Sequence, residues 1–220
     1  MIRPSLLATV LSLSPLAAAP AAAHPHIFVD VTHTLLFDAE GWLIGVRARW
    51  DYDEMFTLLM VEDGKYDTNG DGKIAGGELA RFQHWDADWP ADYGGDLEVT
   101  LDDQPLALAG PSDWAAEWHD GRAVSIHTRM LQTPAEVTGR ALVILPYDPD
   151  IYVDYSVTAP PTFSGRDDCT AKVFEPDPDA IPEELATAIA ELSPETTPEA
   201  AGLPAVGRLY ADEERVQCGG

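Results

Sequence analysis

Between residues 26 and 158 the chain is cut into short runs of β-branched and aromatic residues with turn signals between them. Residues 26–37 (HIFVDVTHTLLF) read as a strand, 38–41 as a turn, and 42–50 (WLIGVRARW) as the returning strand. Further strands are expected at 96–101, 104–108, 113–119, 122–130, 140–147 and 151–158, with hairpin signals at Asp102-Asp103 and Asp120-Gly121. Strands at this spacing predict a mainly β fold, an antiparallel sandwich or barrel-like domain. One α insertion interrupts it at about 53–86. It reads as a helix over 53–63, a loop at 67–78 and a helix over about 76–86. Beyond Pro160, frequent prolines break the pattern, and one short amphipathic helix fits at 182–192. Residues 159–220 therefore read as an irregular C-terminal appendage on a β domain spanning 24–158.

The first residues predict export. Met1-Ile2-Arg3 is a short basic start, 5–18 are apolar, and Ala21-Ala22-Ala23 fits a small-residue cleavage rule, so 1–23 read as a signal peptide. The apolar run is shorter than a membrane span, and no longer one follows. The expectation is a soluble periplasmic chain that starts at His24.

Charge narrows the partners. With 38 acidic and 13 basic residues the chain carries a net charge of −25. Nothing offsets phosphate repulsion, so nucleic acid is excluded as a partner and anionic membrane surfaces are disfavoured. Cations are attracted instead. Two cysteines, Cys169 and Cys218, in an exported chain predict a disulfide. Closing so long a loop stabilises by roughly 4 kcal/mol in the chain-entropy picture.

Residues 67–78 read DTNGDGKIAGGE and match a calcium loop of the EF-hand type at every diagnostic place. Calcium prefers six to eight hard oxygens. Asp67, Asn69 and Asp71 offer side-chain oxygens, Lys73 its backbone carbonyl, and Glu78 two oxygens that close the site. Gly72 permits the sharp turn, Ile74 packs inward, and a water is expected at Ala75. EF-hands usually pair, and a lone site facing an external compartment should hold a structural ion at roughly 10⁻⁴–10⁻³ M.

The expected mature start, His24-Pro25-His26, offers a second metal chemistry. A free amine next to an imidazole chelates zinc, copper, nickel or cobalt through nitrogen. On an extended strand His24 and His26 share a face. A third ligand must come from another strand, with His127 the first candidate and His119 the second. His33 points to the face opposite His26.

The HPHIFVD start, RARWDYDEMF, DTNGDGKIAGGELA, PYDPDIYVDY, the Cys169 segment and the late cysteine occur in this order. Together they resemble a family of exported bacterial proteins known mainly as a domain of unknown function. Its members are labelled periplasmic components of uncharacterised ABC-type transport systems and are associated with nickel/cobalt exporters. The resemblance covers nearly the whole mature chain. It implies metal contacts at His24, His26, Asp67, Asn69, Asp71 and Glu78, and no catalytic residue. The expected function is a periplasmic metal-binding accessory protein beside an inner-membrane metal transporter, with one structural calcium ion. Two alternatives stand beside it. One is a metalloenzyme using the N-terminal histidines. The other is a calcium-stabilised interaction module with no transition metal.

Overall fold

The computed structural model describes residues 26–90, 93–193, 196–204 and 206–219. The expected signal peptide and His24 lie outside the described residues. Alternation of inward apolar and outward polar side chains gives the long first strands. β1 (Ile27–Phe37) and β2 (Leu43–Tyr52) form an antiparallel hairpin in which His33 lies opposite Ala48. The 38–41 turn that joins them is held by the Asp38 carboxylate, which accepts from the Glu40 and Trp42 amides.

Two sheets face each other. β5 (Leu108–His119), β6 (Arg122–Ala135), β2, β1 and β8 (Val153–Val157) lie side by side in the first, with β9 (Thr162–Ser164) also paired to β1. β8 and β9 run parallel to β1, so this sheet is mixed. The second sheet runs β10 (Cys169–Phe174), β11 (Glu213–Cys218), β7 (Leu142–Pro146), β3 (Leu97–Leu101) and β4 (Gln104–Pro105). The expectation of a mainly β, sandwich or barrel-like fold with few helices holds, as two sheets. Leu35, Leu43, Val46, Val99, Leu142, Ile144 and Val216 fill the space between the sheets. A second cluster around Val29, Val31, Trp50 and Tyr155 continues the core toward the α insertion.

Two details differ from the sequence reading. The second insertion helix, α2, is only Gly77–Phe82, because Gly76 brings no side-chain cap and turns follow from Gln83. The region expected to be irregular beyond Pro160 supplies three strands. Among them β11 lies between β10 and β7, with Glu214, Val216 and Cys218 buried, so this segment is part of the second sheet itself. The short helix α3 (Glu183–Ala190) forms where it was expected. Cys169 and Cys218 sit directly opposite each other on β10 and β11 and are joined as a disulfide.

Candidate metal centre

The insertion begins at Asp53, whose carboxylate caps α1 (Glu54–Gly64) by accepting from the Phe56 amide at 2.9 Å. Lys65 ends that helix in the left-handed conformation, with φ 49°. The chain then enters the 67–78 loop. Ile74 is buried, in a cluster with Phe82, Ala116 and Ala123, as the loop motif predicts. Phe82 meets Tyr66, Trp85 and Trp118 at 5.2, 5.6 and 6.4 Å between ring centroids. The Gln83 side chain clasps the backbone of Ala116 on β5. The loop is thus fixed to the first sheet from beneath while its polar side faces solvent.

The Asp67, Asn69, Asp71 and Glu78 side chains are turned onto the loop's own amides. Asp67 accepts from Gly70, Asp71 and Gly72 at 2.7, 3.2 and 2.9 Å. Asn69 accepts from Asp71, and Asp71 from Lys73. Glu78, at the start of α2, accepts from the Thr68 hydroxyl at 2.6 Å and from the Thr68 and Asn69 amides. Gly72 carries φ 73°, which a side chain rarely adopts. The Gly72 amide holds Asp67 below the usual carboxylate range, and the Thr68 hydroxyl does the same for Glu78. Both carboxylates are therefore ionised at neutral pH. The donor set is hard oxygen throughout, which fits calcium. Among the described residues no three His, Cys, Asp or Glu side chains converge tightly enough to enclose an ion, so this set must draw inward on binding.

The histidines separate into two environments. His26 is exposed ahead of β1, its amide donating to the Tyr152 carbonyl and its ring 4.8 Å from that of Tyr152. His127 is fully buried and faces the opposite way, into the core. The structure does not bring the two together. The expectation that His127 completes a site with His26 fails on strand parity, because inward-facing Val29, Val31 and His33 alternate with the face of His26. His119 is exposed on the β5–β6 hairpin, near Asp51 and Asp120 rather than His26. His84 is exposed as well.

A buried polar group between the sheets escaped the sequence reading. In one cross-strand row His33 lies beside Ala48, and Ala48 beside His127. His33 Nδ1 contacts Glu214 Oε2 of β11, reaching across from the second sheet. His33 Nε2, Glu214 Oε1 and both ring nitrogens of His127 have no hydrogen-bond partner. Trp50, Trp89 and Trp114 surround the His127 ring at 4.6, 4.8 and 5.2 Å. Burial drives its pKa down to about 3, so it is neutral. Arg129 lies over Trp89 and donates to the Gly94 and Ala109 carbonyls at 2.6 and 2.8 Å. Gly95, with φ 71°, permits this closure, since a Cβ there would lie 2.1 Å from Arg129 and 2.5 Å from Trp89. Two carboxyls flank the cage. Asp86 takes the Tyr52 hydroxyl and Asp96 those of Tyr93 and Tyr155, and burial raises each pKa to about 6. The alternation Glu214-x-Val216-x-Cys218 was the available signal for Glu214, because it places that residue on the face of the disulfide cysteine.

The family model described as a protein of unknown function (DUF1007) matches residues 9–218. The chain belongs to this family. The match takes in the loop, His26, the buried histidines, Glu214 and both cysteines. No curated protein and no solved structure matches the chain.

Proposed function

We propose that this DUF1007 protein is a periplasmic metal-binding accessory protein that serves an inner-membrane metal transporter. The observation that supports the reading is the 67–78 loop, which gathers the side chains of Asp67, Asn69 and Asp71 at the surface and that of buried Glu78 beneath them, with Ile74 anchoring the turn. Calcium taken by these oxygens and the Lys73 carbonyl stiffens the insertion. The cargo is a transition-metal ion, nickel, cobalt, copper or zinc, taken at the histidine start. The exposed position of His26 supports that role. His127 is not part of this site.

Metal analysis of protein purified from the periplasm with its natural processed start tests the reading. One calcium and one nitrogen-bound transition metal are expected per chain. His24→Ala with His26→Ala should abolish the second and leave the first. Transition-metal binding that survives loss of both histidines, or none in the natural protein, overturns the transport role.

A further inference from the structure

Between Met55 and Val61, Thr57 apart, helix α1 carries apolar side chains on every side. Phe56, Met60 and Val61 pack inward, and the Thr57 hydroxyl accepts from the Ala123 amide at 3.1 Å. Met55, Leu58 and Leu59 lie on the other side and are 74, 59 and 55 % exposed. A helix of this composition is ordinarily covered on all sides. Here the outward apolar triad, spaced i, i+3, i+4, is one contiguous surface. Glu54, Glu62 and Asp63 rim it, all exposed. Beside it a groove of about 750 Å³ runs between α1, the 67–78 loop and the β5–β6 hairpin. Leu58 and Trp118 give that groove apolar walls, Glu54, Glu62 and Asp120 make it acidic, and Lys65 is its one basic lining residue. The patch has a neighbour at the start of β1. Exposed Phe28 is tied to Asp53 by two hydrogen bonds of 2.9 Å, which bring β1 to the head of α1.

We propose that this face docks a segment of another protein that carries large apolar side chains flanked by lysine or arginine. The apolar triad supplies contact area, and the acidic rim and groove select the sign of the partner's charge. The same rim argues against the other occupants. A second copy would set Glu54, Glu62 and Asp63 against like charges, and an anionic lipid surface would be repelled by a chain of net charge −25. The inference does not depend on the transport reading, since it uses neither His26 nor a bound ion.

The test uses the processed protein, a labelled short amphipathic helical peptide of leucine and lysine, and its leucine–glutamate counterpart. The cationic peptide should bind, shift backbone amide resonances at 55–63, and weaken as salt rises. Leu58→Ser with Leu59→Ser leaves every charge in place and should cut the affinity at least about tenfold. Glu62→Lys with Asp63→Lys should do the same from the electrostatic side. An unchanged thermal midpoint checks that these exposed substitutions leave the fold intact. Equal affinity of the natural protein and the Leu58→Ser/Leu59→Ser variant overturns the proposal. So does tighter binding of the glutamate peptide. A concentration-dependent dimer in sedimentation, or adhesion to phosphatidylglycerol vesicles, overturns it too if the leucine substitutions abolish the effect.

Discussion

The 67–78 loop and the buried core around His127 treat polar groups in opposite ways. In the loop the Asp67 carboxylate takes three amides and Glu78 takes two amides and the Thr68 hydroxyl, and the pKa values of both fall. In the core Asp86 and Asp96 are pushed up to about 6 and His127 down to about 3, all chiefly by burial. The loop holds Asp67 and Glu78 in their charged forms. The core is held neutral at His127 and leaves ring nitrogens without partners. Desolvation outweighs hydrogen bonding wherever few donors can reach the group. Exposed turns supply amides freely, whereas a sheet interior has already committed its amides to neighbouring strands.

The largest expected effect is in the core. Glu214→Ala leaves His33 buried with no partner at Nδ1 and should cost roughly 3 kcal/mol. That corresponds to a thermal midpoint lower by roughly 6–12 °C for a chain of this size. Replacing both partners, His33→Leu with Glu214→Leu, should return stability to within about 1 kcal/mol of the natural protein. Urea denaturation measures both. If the single and double variants are equally damaged, the contact between the sheets is not what stabilises this part of the core.

Acid sharpens the contrast, because the core groups act with opposite signs. Asp86 and Asp96 have folded pKa values above their unfolded ones, so their buried charge costs stability above about pH 6 and the cost is relieved as pH falls. His127 has a folded pKa below its unfolded one. Its contribution is present above about pH 6.5 and is lost as pH falls, because only the unfolded chain takes up the proton. From pH 7 to pH 5 the two carboxyls together add roughly 2–3 kcal/mol and His127 removes roughly 2 kcal/mol. The natural protein should therefore show a nearly flat urea midpoint across this range. His127→Phe should turn it into a rise on acidification. Asp86→Asn with Asp96→Asn should turn it into a fall. A natural profile that drops steeply by pH 5 would place the controlling groups elsewhere.

The smallest effect belongs to the loop. Calcium at ten times its dissociation constant should stabilise the protein by about 1.4 kcal/mol. Glu78→Gln should remove most of that gain and leave the pH profile of the core untouched, since the two regions share no titrating partner. Calcium stabilisation that persists in Glu78→Gln would assign the ion to another part of the acidic surface.

Much of this molecule was legible in order along the chain. Runs of β-branched and aromatic residues with turn signals between them located β1, β2 and the later hairpins. The Asp/Asn/Gly/Glu spacing of 67–78 announced a turn whose glycines and inward Ile74 appear as expected. These are local matters, set by which side chains a pleat or a tight turn accepts. The two faces of the first strand were legible too, and parity correctly put His33 away from His26.

Tertiary structure decided what strand parity cannot reach. A residue's face is local, but its neighbour across a sheet depends on register and strand order. His33, Ala48 and His127 form one row only because β2 lies between β1 and β6. Glu214 reaches that row only because β11 is inserted beside β7 in the facing sheet. The outward face of α1 follows the same rule. Its sequence marks Met55, Leu58 and Leu59 as apolar helix residues, but the sheet has room for one side of the helix, and Phe56, Thr57, Met60 and Val61 take it.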